Sequence, residues 1–324
     1  MNIYKKFAAL ALAGVMAVGL FAGCSGNYGS ETTKDTTAST TAPAAGTTAP
    51  EASTSTPSEV AQPAGTLDAP ITVVSREEGS GTRGAFVELM GVKTDDGDMT
   101  TEDAEIANST SLVQSTVAGN VNAIGYISLG SYDPSAVKAL TVDGVEPTVE
   151  NIKAGSYAVS RPFVICYKEE NLTDLGKDFV TFIMSADGQQ ILTDNGYIAV
   201  NDAAESYTVS GLSGSLSLNG STSVGPVMEK LAEAYMGLNS GVVIDIQQTG
   251  SGTGITSTID GSCEIGMSSR ELKDEEVAEG LTPVVIAMDG IAVIVNLENP
   301  ANGLTSDQIR AVYTGEITNW VELG

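Results

Sequence analysis

Four times along the chain, a short apolar run with strand-like spacing breaks into a loop of Gly, Ser and Thr and then into a helical pattern. Residues 215–218 lead into Asn219-Gly-Ser-Thr-Ser-Val-Gly-Pro226 and a helical pattern over 227–236. Residues 242–246 lead into Thr249-Gly-Ser-Gly-Thr-Gly254 and a shorter one over 255–259. Residues 264–267 lead into Ser268-Ser269 and a pattern over 270–278. Residues 71–74 lead into Ser75-Arg-Glu-Glu-Gly-Ser-Gly-Thr82 and a pattern over 83–90. Strands that alternate with amphipathic helices predict an α/β fold.

The four loops share one piece of physics. A helix N-terminus leaves backbone N–H groups without intrahelical partners, and the helix dipole makes that end partly positive. Ser and Thr add hydroxyl donors, and Gly lets the backbone come close to a ligand. Any one such loop reads as an ordinary helix cap. Gly250-Ser-Gly-Thr-Gly254 also lacks the Gly-Lys-Ser/Thr ending of a nucleotide loop. Four of them, with Arg76 in one to offer a planar fork, predict a site for a small tetrahedral oxyanion.

The start of the chain has a different pattern. Lys5 and Lys6 precede an apolar run over 7–20, too short to span a bilayer comfortably, and Phe21-Ala-Gly-Cys24 follows it. This predicts a lipoprotein signal peptide over 1–23 with Cys24 lipidated; a plain secretory signal with an incidental cysteine is the alternative. Residues 24–66 are rich in Thr, Ala, Ser and Pro and predict a tether between that anchor and the folded part. The chain is thus expected outside the cytoplasm, attached to the cell membrane.

Composition then narrows the chemistry. The formal charge is −26 and there is no histidine. An acidic surface argues against nucleic acid and against broad attraction of anions, so an anion must be held by local, directional donors. Without histidine there is no Ser-His-Asp triad and no common zinc site, so no enzyme, metal or cofactor is expected. Cys166 and Cys263 sit in apolar surroundings, and a disulfide between them is permitted but not indicated.

Arg76-Glu-Glu-Gly-Ser-Gly-Thr82, Gly220-Ser-Thr-Ser223, Thr249-Gly-Ser-Gly252, Ser268-Ser-Arg-Glu-Leu272, Asp289-Gly-Ile-Ala-Val293 and Thr314-Gly-Glu-Ile-Thr-Asn-Trp320 together resemble the PstS-type phosphate-binding proteins of bacterial phosphate ABC importers. The resemblance covers nearly everything after the tether. It implies a two-lobed periplasmic-binding-protein-like (type II) fold that closes over inorganic phosphate and docks on membrane permease subunits. Carried over by position, the phosphate contacts are Arg76, Ser80, Gly81 and Thr82 from one lobe and Thr222, Ser223, Ser251 and Ser269 from the other, with Glu78 behind Arg76 to orient it. Some family members have an aspartate where Ser269 stands, which leaves sulfate or another oxyanion as the alternative ligand. A phosphate sensor would share the same site, and an adhesion or scaffold role would need no anion at all.

The order of the pieces departs from the family. Segments like 213–324 come first there, and segments like 67–206 second; here residues 207–212 link them in reverse. This is expected to be a circular permutation, since domain termini often lie close together at the surface. An incomplete fragment of a tandem protein and domain exchange between chains are the other readings. The lobe opposite Arg76 is expected to comprise 140–206 and 213–295, with crossings near residues 140 and 296.

Overall fold

The computed structural model of the protein describes residues 67–324. The expected signal peptide 1–23, Cys24 and the expected tether 24–66 lie outside the described residues.

Two βαβαβ units of the same design form the framework. The first comprises β1 (Thr72–Arg76), α1 (Gly81–Leu89), the small flap β2 (Lys93–Thr94) and β3 (Gly97–Asp98), β4 (Glu105–Ala107), α2 (Thr110–Ala118) and β5 (Ala123–Ser128). Between the units come β6 (Val137–Ala139), β7 (Thr141–Val142), α3 (Val149–Lys153), β8 (Ser160–Tyr167), α4 (Asp174–Met184), α5 (Ala186–Asp194) and β9 (Ile198–Ala199). The second comprises β10 (Ser213–Gly220), α6 (Gly225–Leu238), β11 (Gly241–Gln248), α7 (Ser251–Ile259) and β12 (Ile265–Ser268). The chain continues through α8 (Asp274–Ala278), the long β13 (Thr282–Asn296), β14 (Gly303–Leu304) and α9 (Ser306–Tyr313).

In each unit the first strand lies between the other two and runs parallel to both, in the orders β4-β1-β5 and β11-β10-β12. The connections therefore leave the middle strand in opposite directions. In sheets of this kind ligands bind in the crevice at the carboxyl ends of the strands, where that divergence occurs.

Core strands covered on both faces lack the polar alternation of half-exposed ones. Every residue of β5 is buried, and neighbouring Val73 and Val74 of β1 feed two different apolar clusters. Phe86 of α1 stacks on Tyr126 of β5 with ring centroids 3.9 Å apart, and Tyr313 of α9 meets Phe86 edge-on at 4.8 Å. The other lobe has its own core, built around Phe163, Phe179, Phe182 and Tyr235.

The lobes are joined by β8 and β13, which are antiparallel. β13 pairs with β8 up to Gly290 and with β5 from Ile291 onward, making one mixed sheet through both lobes. The chain changes lobe at Ser160 and Gly290, not near 140 and 296. Leu140, Val142, Ile152, Tyr157 and Val159 pack into the core of the Arg76 lobe, and Ile291, Val293 and Val295 join them. One crossing falls at the first residue of β8 and the other inside β13, which stays in strand conformation through Gly290.

Residues 67–71 run beside the last residues of the chain. Ile71 N donates to Thr318 O at 2.8 Å, Trp320 N donates to Ala69 O at 3.0 Å, and Pro70 bridges to Asn319.

Candidate functional site

Four helices begin where the two units face each other: α1 and α2 from one lobe, α6 and α7 from the other. Ser80 caps α1 and accepts from Arg83 N at 3.3 Å; Ser109 caps α2 and accepts from Leu112 N at 3.2 Å. Gly220 (φ 144°) and Gly250 (φ 101°) take backbone angles that a side chain would strain, and Thr249 N and Gly250 N both donate to Gly220 O. These turns fold the β10 and β11 ends against each other, so α6 and α7 start side by side.

The lobes are closed on one another. Gly252 N in α7 donates to Gly79 O at 2.9 Å across the seam. Beside that contact Arg76 is 2% exposed and every guanidinium nitrogen has a partner. Nε and Nη2 each donate to a Glu77 carboxylate oxygen at 2.8 Å, Nε also donates to Ala107 O, and Nη1 donates to Thr110 Oγ1 at 3.4 Å. Nη2 also donates to Thr222 Oγ1 of the opposite lobe at 3.0 Å. Arg76 N donates to Tyr126 OH at 3.1 Å, which leaves the phenol proton for Ser75 Oγ at 2.9 Å. Burial pushes the Tyr126 phenol up, which keeps that proton in place.

Around the guanidinium the hydroxyls of both lobes interlock. Ser223 Oγ lies 3.0 Å from Thr82 Oγ1 and 2.9 Å from Thr110 Oγ1. Ser269 Oγ lies 3.5 Å from Thr82 Oγ1 and 3.4 Å from Ser251 Oγ, and its N–H donates to Ser251 Oγ. All these side chains are buried. A side chain at Gly81 would collide here, since an added Cβ would lie 2.7 Å from Ser269 Oγ and closer still to Ser251 Oγ. Hydroxyls, helix N-termini and one guanidinium make a dense set of donors on a chain that is otherwise strongly acidic.

The structure brings together Arg76, Gly81, Thr82, Thr222, Ser223, Ser251 and Ser269. Ser80 is buried next to them but caps α1 and makes no hydrogen bond to the hydroxyl cluster. The carboxylate that grips Arg76 is Glu77, not Glu78, which is exposed at the turn that follows. The turn at Gly79 carries Glu78 outward while Glu77 stays in the seam. Ser268-Ser269 does not open a helix as its pattern predicts: α8 starts only at Asp274, and Arg270 pairs with Glu276 at 2.7 Å. Thr110 is a site residue that the sequence reading missed. Its signal was present, because Asn108-Ser-Thr-Ser111 opens α2 just as the other loops open theirs.

Cys166 and Cys263 are free and buried. Burial pushes the Cys166 thiol up to about 12 and raises that of Cys263, so neither supplies a ready thiolate. Among the described residues no group of His, Cys, Asp and Glu side chains could hold a metal ion.

Two lobes joined by crossing strands, with a buried cluster of donors between them, define a solute-binding protein of the periplasmic-binding-protein type. A family model described as "PBP superfamily domain" matches residues 34–187 and 203–324. Phosphate-binding protein PstS 2 of Streptococcus agalactiae is 43% identical over 328 residues, which cover 100% of this chain and 99% of the relative. The chain belongs to this superfamily and, within it, to the PstS family of phosphate-binding proteins. A crystal structure of a phosphate-binding protein of a phosphate ABC transporter from Streptococcus pneumoniae is similar at a TM-score of 0.64 and 48% identity, over 79% of this chain and 100% of that one. Phosphate-binding protein PstS of Bacillus subtilis is 34% identical over 139 residues, only 43% of this chain and 44% of its own length.

Proposed function

We propose that the chain captures inorganic phosphate outside the cytoplasm and delivers it to the permease subunits of an ABC importer, held to the membrane by a lipidated Cys24 and the tether 24–66. One observation carries this reading: Arg76 and the hydroxyls of Thr82, Thr110, Thr222, Ser223, Ser251 and Ser269 meet at one buried point between two lobes. In the bound form the anion's oxygens take the places that the hydroxyls now give one another. Arg76, Gly81, Thr82 and Thr110 grip from one lobe, and Thr222, Ser223, Ser251 and Ser269 from the other. Closure removes water and strengthens each charge-assisted bond. Binding and release involve no chemical step. Calorimetric titration of the soluble chain from Ser25 onward is expected to give one-to-one binding of phosphate; a folded monomer that binds neither phosphate nor sulfate overturns the reading.

Selectivity is assigned to Glu77. Its two oxygens hold Arg76, and Oε1 faces the other lobe at Gly250, where an added Cβ would lie 3.3 Å away. Phosphate retains a proton at neutral pH and can donate it to a carboxylate, whereas sulfate has none to give and is repelled. Replacing Glu77 by Gln is expected to narrow the preference for phosphate over sulfate by roughly tenfold or more, the scale of one charge-assisted hydrogen bond. The exposed Glu78→Gln should leave it unchanged. Equal losses for both anions in Glu77→Gln would reduce Glu77 to a group that only orients Arg76.

The order of the two sequence halves is read as a circular permutation within the family. Alignment over the whole streptococcal relative, but over less than half of the Bacillus one, supports this. So does the antiparallel contact between residues 69–71 and 318–320, which lies where the family's usual junction would run. A reordered chain, with 213–324 joined directly to 67–206, is expected to fold and bind phosphate with the affinity of the natural order. A reordered chain that stays unfolded argues against permutation.

A further inference from the structure

β1 and β10 hold the same place in their units, the middle strand whose end leads into an anion loop, and they finish at Arg76 and Gly220. The two units satisfy the carbonyl at that point differently. Gly220 O accepts from two backbone groups, Thr249 N at 2.9 Å and Gly250 N at 2.8 Å. Arg76 O accepts from a side chain: Arg83 reaches back from the first turn of α1, and its Nη1 donates at 2.9 Å. A guanidinium thus does in the first unit what a backbone turn does in the second.

Arg83 is itself anchored. Its Nε donates to Asp98 Oδ2 at 2.7 Å, at the end of the flap strand β3, and its backbone N donates to the Ser80 cap. Asp98 Oδ1 in turn accepts from Thr100 N at 2.9 Å and from Thr100 Oγ1 at 2.6 Å. The next residue, Thr101, donates its N–H to Tyr313 O at 2.8 Å, and Tyr313 packs on Phe86 in the core. A continuous line of contacts therefore runs from the core through the base of the flap and Arg83 to the strand end that carries Arg76.

The segment so bridged has reason to need it. Residues 77–82 include Gly79, at φ 84°, and Gly81, so an unpinned loop would sample many shapes and ordering it would cost entropy. A guanidinium suits the task, because it is planar, always charged and donates along fixed directions from more than one nitrogen. Arg76, Ser80, Arg83, Asp98 and Thr100 all belong to one lobe, so the bridge does not depend on closure. The contacts of Arg76 with Thr222 and of Thr82 with Ser223 do.

We propose that Arg83 is a positioning residue for anion capture: by bridging Asp98 to the Arg76 carbonyl, it holds residues 76–82 in their anion-binding shape while the lobes are apart. The inference rests on the anion-capture reading above. Arg83 sets where the Arg76 guanidinium, Gly81 and Thr82 stand, so the loop is ordered before phosphate arrives and less affinity is lost on binding. The opposite charges of the bridge separate this role from simple electrostatics. By charge alone, neutralising Arg83 should weaken anion binding and neutralising Asp98 should strengthen it. Breaking the bridge weakens binding from either side.

The test compares the parent chain with Arg83→Met, Asp98→Asn and the double variant. The two side chains are 21% and 28% exposed, so neither change opens the core. Methionine keeps the apolar stem, and asparagine keeps an oxygen for Thr100 while turning an amide N–H toward Arg83. Each single variant is expected to bind inorganic phosphate about three- to tenfold more weakly by calorimetry, and the double variant no more weakly than the worse single one. In phosphate-free Arg83→Met the backbone amide resonances of Gly81 and Thr82 are expected to shift or broaden, then to return towards the parent's at saturating phosphate. A general loss of stability would not be reversed at those two amides alone. Unchanged or tighter binding by Asp98→Asn overturns the inference, and so do parent-like Gly81 and Thr82 resonances in phosphate-free Arg83→Met. A folded parent chain that binds no phosphate overturns the capture reading instead; the amide comparison, made without phosphate, then still decides whether the bridge positions the loop.

Discussion

An Arg76→Ala protein is expected to fold and to lose phosphate binding by a factor of about a hundred to a few thousand, the effect of removing one partner of a buried charge-assisted contact, about 3–5 kcal/mol. Three effects add in the same direction. The fork that presents two N–H groups to neighbouring oxygens is gone. Glu77 is left without its cation and now repels any anion that enters. Thr110 and Thr222 lose the donor that holds their hydroxyls in place. Folding should survive, because Arg76 ends β1 at the seam and the apolar clusters beneath it do not include it. Arg76→Lys separates charge from shape: it should recover part of the affinity, since lysine restores a point charge without the planar fork. Calorimetry on the three proteins, with melting curves as the folding control, gives the comparison. Parent affinity in Arg76→Ala would remove the guanidinium from the site and with it the assignment of the four loops around it.

The legibility of this site depended on how plainly each loop announced its strand. The β10→α6, β11→α7 and β1→α1 turns were readable because apolar runs precede them and Gly-Ser-Thr clusters follow. The β4→α2 turn is the first unit's counterpart of β11→α7, and it supplies Thr110. It was missed because β4 has only three residues, of which Glu105 and Ile106 are exposed, so no apolar run marks it. The internal likeness of the two βαβαβ units, visible only in the strand order, makes Thr110 an expected member of the site. Ser268-Ser269 failed in the opposite way. Its hydroxyls are in the site, but it ends a third strand, where neither unit starts an α-helix directly. Glu77 and Glu78 could not be separated from sequence, because the backbone turn at Gly79 decides which carboxylate stays in the seam. The alternation of elements gave the α/β class and the family resemblance implied the two lobes, whereas the crossings fall at the first residue of β8 and in the middle of β13.

The same design places one residue where chemistry and closure can be tested apart. Gly81 opens α1 without a left-handed backbone angle, so alanine suits it locally and, by helix propensity alone, should stabilise α1 by up to about 1 kcal/mol. Across the seam it does not fit. The added methyl meets the hydroxyls of Ser251 and Ser269, which belong to the other lobe. Those side chains can turn away only by leaving the cluster, and overpacking of this kind costs about 1–3 kcal/mol, which corresponds to roughly a ten- to hundredfold loss of phosphate affinity. The clash exists only when the lobes are closed, so the open protein should melt as the parent does or slightly higher. Small-angle scattering with saturating phosphate is then expected to show Gly81→Ala more extended than the parent. Arg76→Ala, which meets no such obstacle, should remain free to close. A Gly81→Ala protein that binds phosphate as tightly as the parent and scatters identically would mean that the anion site does not require this seam to shut.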